Sequence, residues 1–136
     1  MLESKPEQIL NAFAVNGEIP VDLTFLATLK YKSDVIVHLT CSFQCIANYV
    51  YISGNNGAIR VSNVISSRDI KIEHFNANLE IISTKTIDAF NNFLAEINHF
   101  NNCIIYEEEP LITEHDSKSI MKTVEELFKV SEQNQF

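Results

Sequence analysis

The sequence predicts an α+β fold: a mostly antiparallel sheet of six or seven strands, with two C-terminal helices packed on one face. Three observations predict it. Apolar residues alternate with a period of two through residues 21–45, which puts them on one side of extended chain. Gly54-Asn55-Asn56-Gly57 splits the aromatic and β-branched stretch 49–61 into two halves of a hairpin, since Gly and Asn tolerate positive φ. From Thr84 onward the apolar period becomes helical.

The 136 residues read as one domain, residues 1–136, long enough to bury about two-thirds of the unfolded surface. QILNAFAV at 8–15 suits an edge strand and is closed by Asn16-Gly17 and Pro20. Val21 to Tyr31 is the strongest strand signal, with Val21, Leu23, Phe25, Ala27, Leu29 and Tyr31 on one face. Lys32-Ser33-Asp34 reverses the chain into a second alternating strand, Val35 to Cys45, and the two pair as a long hairpin. After the 49–61 hairpin and Ser66-Ser67 come two weaker strands, Asp69 to Phe75 and Asn78 to Ser83. Short connections make the pairing antiparallel.

Ile87, Phe90, Leu94 and Ile97 then mark a helix, with Thr86 as N-cap, Asp88 in its first turn and Asn101-Asn102 at its end. Thr113 caps the second helix, whose stripe is Ile120, Val124, Leu127 and Phe128; residues 131–136 are polar and expected to fray. Both helices are expected on the apolar odd-numbered face of 21–45. The opposite face carries Thr24, Leu26, Thr28, His38, Thr40 and Ser42. It is too apolar for water and too polar for a core, the composition of an interface. With Val50 and Ile52 it predicts a homodimer through the open sheet face.

Composition excludes several classes. With 46% hydrophobic and 21% charged residues the chain is globular rather than disordered. A net charge of −8 and scattered bases argue against nucleic acid. No apolar run reaches a membrane span, the amino terminus lacks a secretory core, and three unpaired cysteines fit a reducing compartment, so the expected location is cytoplasmic. With three glycines in all, no dinucleotide fingerprint can be assembled, and there is no Walker or G-x-S-x-G motif. No catalytic or cofactor-binding residue is therefore assigned.

His38, mid-strand on the half-polar face, is the candidate pocket residue, weighed against an ordinary hydrogen-bonded sheet histidine. Cys41 and Cys45 lie about 13 Å apart along one strand, too far to share a metal, and are expected to pack in the core. Glu107-Glu108-Glu109 offers a hard-cation loop or simply a solvated one, and no metal site is assigned.

Four stretches in order resemble the C-terminal domain of the Gfo/Idh/MocA oxidoreductases. They are the strand pair from Asp22 to Ser42-Phe43, the Gly54-x-x-Gly57 hairpin ending in Ile59-Arg60-Val61, the helix Ile87-Asp88-Ala89-Phe90 to Ile97, and Pro110-Leu111-Ile112-Thr113-Glu114-His115-Asp116 at the opening of the last helix. The resemblance implies a parent enzyme that transfers hydride between NAD or NADP and a sugar-like hydroxyl compound. In it a Rossmann domain supplies the cofactor site and a Glu-Lys-Pro lysine, and an Asp-x-x-x-His helix opening the second domain supplies an acid/base histidine. None of these is matched here; Ser4-Lys5-Pro6 agrees in letters only. The chain is thus expected to be an isolated substrate-pocket and oligomerisation domain, inactive alone, whose partners are a second copy and the missing Rossmann domain. The alternative is a free-standing binding or dimerisation module.

Overall fold

The structure, a computed structural model, describes residues 5–16, 21–45, 47–65 and 68–134. The expected reversals at Gly17 and Pro20 and at Ser66-Ser67 lie outside the described residues. The described residues form seven strands and two α-helices: β1 (Gln8–Asn16), β2 (Asp22–Lys30), β3 (Ile36–Ser42), β4 (Tyr49–Gly54), β5 (Gly57–Ser62), β6 (Ile70–Phe75), β7 (Ile81–Ile87), α1 (Asn92–Ile105) and α2 (Glu114–Gln133). All pairings are antiparallel, as expected. The strands form two sheets rather than one, β1-β2-β3 and β4-β5-β6-β7. The chain divides into two compact units, Met1–Ile46 with Glu109–Phe136, and Ala47–Glu108.

In the first unit β1 is an edge strand and β2 the centre. The turn into β3 is a single 3-10 turn, Lys32–Asp34, with Ser33 and Asp34 at positive φ. Helix α2 covers the odd-numbered face as expected. Leu127 is buried with Ala12, Ala27 and Leu29, while Ile9, Phe25, Tyr31 and Val37 pack around them. Phe128 meets Phe25 edge to face at 5.3 Å. Thr113 caps α2 through a reciprocal box: its hydroxyl oxygen accepts the Asp116 N–H at 3.1 Å, and Asp116 Oδ2 accepts the Thr113 N–H at 3.1 Å. Residues 131–133 are helical rather than frayed, with Ser131 buried and its hydroxyl donating to the Phe128 carbonyl, while 135–136 lie outside the described residues. The cysteine expectation fails as well: Cys41 is exposed because α2 packs over β1 while β3 is the opposite edge of the sheet, and Cys45, beyond the end of β3, is exposed too.

In the second unit the β4-β5 turn closes on Gly54 and Gly57, which are direct partners. The positive φ falls on Gly57 (141°), not on the asparagines. The last strand is shifted from the expected Asn78–Ser83. Asn76 Oδ1 accepts the N–H groups of Asn78 and Glu80 at 2.9 and 3.0 Å, and Leu79 turns through positive φ, so pairing starts only at Ile81. It continues through Thr86, which is therefore a strand residue opposite Lys71 and no helix cap. The cap is Asn91, whose Oδ1 accepts the Leu94 N–H at 3.1 Å. Helix α1 runs past Asn101-Asn102 to Ile105. Its apolar stripe, including Leu94, Ile97, Phe100 and Ile104, stays exposed instead of packing on a sheet face.

Candidate functional site

The even-numbered face of the first sheet is uncovered by α2 and carries the residues singled out from sequence. Register places them in cross-strand rows. Asn11, Thr28 and His38 form one row, and Phe13, Leu26 and Thr40 the next. Val15, Thr24 and Ser42 form the third. Thr28 Oγ1 and His38 Nδ1 are 3.1 Å apart, and the Thr24 and Ser42 hydroxyls 2.7 Å apart. Thr24 and Ser42 thus hydrogen-bond each other, and Thr28 bonds His38, across β2 and β3 on this face. His38 keeps Nε2 directed away from that bond and is exposed, so it can donate to or accept from a polar ligand. Leu26 is 39% exposed beside Thr40. Asn11 and Phe13, which complete these rows, were missed because β1 shows no clean alternation.

Val50 and Ile52 belong to the second unit, where they face Val61 and Ile59 across β4 and β5. The rows continue to Ile72 and His74 on β6. Val50, Ile52, Ile59 and Ile87 are all exposed on this face.

The reverse face of the second sheet holds the cluster that sequence reading overlooked. Glu73, 1% exposed, accepts Arg60 Nε on Oε2 at 2.7 Å, with a second bond from the guanidinium, and Lys71 Nζ on Oε1 at 2.7 Å. The hydrogen bonds from Lys71 and Arg60 outweigh burial and hold the Glu73 carboxyl below its ordinary range. Arg60 lies 5.9 Å above the Phe75 ring, which Tyr51 meets edge to face. Ile70-Lys71-Ile72-Glu73 alone reads as common alternation, and only the register that sets Arg60 opposite Glu73 exposes the pair.

Among the described residues no group of three His, Cys, Asp or Glu could hold a metal ion. No helix among them is long and apolar enough to cross a membrane.

No family model and no curated protein matches the sequence. Its fold is similar to a solved structure: the aldose-aldose oxidoreductase of Caulobacter crescentus, crystallised with glycerol, superposes with a TM-score of 0.75 at 16% identity. The match covers 96% of this chain and 40% of that one. That enzyme is a Gfo/Idh/MocA member, and a match of this extent fits a C-terminal domain. The chain has the fold of one part of a Gfo/Idh/MocA oxidoreductase, as its sequence motifs implied.

Proposed function

We propose that this chain is the substrate-pocket and oligomerisation domain of an oxidoreductase that exchanges hydride between NAD or NADP and a sugar-like hydroxyl compound. The observation that carries the reading is the fold match over 96% of the chain. In this role the cofactor site and the lysine come from a Rossmann domain, the acid/base histidine comes from the helix that opens the second domain, and this chain contributes surface. His38, with Thr28 fixing its ring, supplies one hydrogen-bonding wall for a hydroxyl-rich substrate.

Exposed area supports the second half of the role. The chain exposes 10963 Å², whereas two separate compact bodies of half its mass would together expose only about 8,700 Å². The excess of roughly 2,200 Å² exceeds the ~800 Å² per partner of a standard interface. A second copy laid on the Thr24, Leu26, Thr28, Thr40 face of the first sheet, or on Val50 and Ile52 of the second, would remove part of it, in the cytoplasm where the free thiols are stable.

The test is NMR titration of the labelled chain with aldoses and polyols, alongside NADH and NADPH. Shifts centred on His38 and Thr28, without saturable dinucleotide binding tighter than about 100 µM, are expected. Dinucleotide binding at that level, or sugar-induced shifts that avoid His38, would contradict the assignment.

A further inference from the structure

We propose that Arg60 and Lys71 form a binding site for a small oxyanion, a carboxylate or phosphate carried on a hydroxylated molecule. One cation is enough to neutralise Glu73, yet two converge on it, one at each oxygen. The cluster therefore keeps one surplus positive charge in a chain whose net charge is −8. Glu73 is buried, whereas the Arg60 and Lys71 side chains are 45% and 49% exposed, so the negative partner is hidden and the positive ones face outward.

Donor counting agrees. A guanidinium has five N–H donors and an ammonium three; among the described residues Glu73 is the only acceptor either cation uses, and it engages two donors of Arg60 and one of Lys71. The remainder are held in place by the buried carboxylate, so little side-chain freedom is lost when an oxyanion docks. Register adds hydroxyls beside them: Ser62 pairs with Lys71, Thr84 with Glu73 and Thr86 with Lys71. Tyr51, opposite Arg60, offers a ring edge and a phenol. Cations flanked by hydroxyls and an aromatic ring suit a sugar acid or a sugar phosphate better than a bare inorganic ion. The site is on the second sheet and does not depend on His38 or on the oxidoreductase reading.

Calorimetric titration of the full chain with gluconate and, separately, inorganic phosphate at fixed ionic strength tests this. Saturable binding of at least one is expected, and the stronger ligand tells carboxylate from phosphate. Lys71→Gln leaves the Arg60–Glu73 pair in place and should weaken binding about tenfold. Lys85→Gln makes the same charge change on the opposite face, where Lys85 pairs with Ile72, and should leave affinity unchanged. Absence of saturable binding by both anions overturns the proposal. So does equal weakening by the two substitutions, or no weakening by Lys71→Gln.

Discussion

Arg60 and Glu73 are direct cross-strand partners on β5 and β6, and Glu73 is the largest side chain that the described fold buries completely. A carboxylate whose folded pKa lies below its unfolded value adds stability above that unfolded value and loses it as pH falls through the folded one. For Glu73 the ordinary value is 4.5 and the folded value is lower. Resistance to urea should therefore be flat near neutrality and fall as pH drops below about 4.5. Glu73→Gln should unfold earlier at pH 7, because it leaves two cations without their counter-charge, and should show a weaker acid dependence. Parallel urea curves for the two proteins across that range would show that Glu73 contributes nothing to it.

Gly57 and Gly54 close the same turn but should respond oppositely to a methyl group. A Cβ on Gly57 would collide with the Phe75 carbonyl oxygen, and its φ of 141° is one that L side chains rarely adopt. A Cβ on Gly54 meets nothing within 4 Å. Gly57→Ala should cost about 1–3 kcal/mol, while Gly54→Ala should be neutral or stabilising by up to about 1 kcal/mol. Chemical denaturation of both variants checks this, and equal midpoints would mean the turn is built differently.

Thr113→Ala should cost about 1 kcal/mol by removing the α2 cap. The Thr113 hydroxyl and N–H hold Asp116 below the usual carboxylate range, so the substitution should also bring the Asp116 titration, followed by NMR, back up toward 3.8. An unmoved Asp116 titration would show that the box does not persist in solution.

What the sequence disclosed and what it hid follow from the range of the interactions. The β2-β3 hairpin and the α2 cap were legible because alternation and Thr-x-x-Asp are local patterns. The start of α1 was not. Ile87, Phe90, Leu94 and Ile97 have helical spacing, yet Ile87 ends β7, where it pairs with Ile70 of β6. Tertiary pairing overrode the local period there. The half-polar face was legible at Thr24, Leu26, Thr28, His38 and Thr40, whereas its β1 members and the Glu73 cluster depend on register, which no single strand encodes.

Light scattering after size exclusion at micromolar concentration tests self-association through the open sheet faces most directly. A particle of twice 15.5 kDa is expected, reduced to the monomer by Leu26→Glu or Ile52→Glu, each of which would place a charge in the middle of an interface. A monomeric protein whose two variants elute and scatter as the parent does would contradict it.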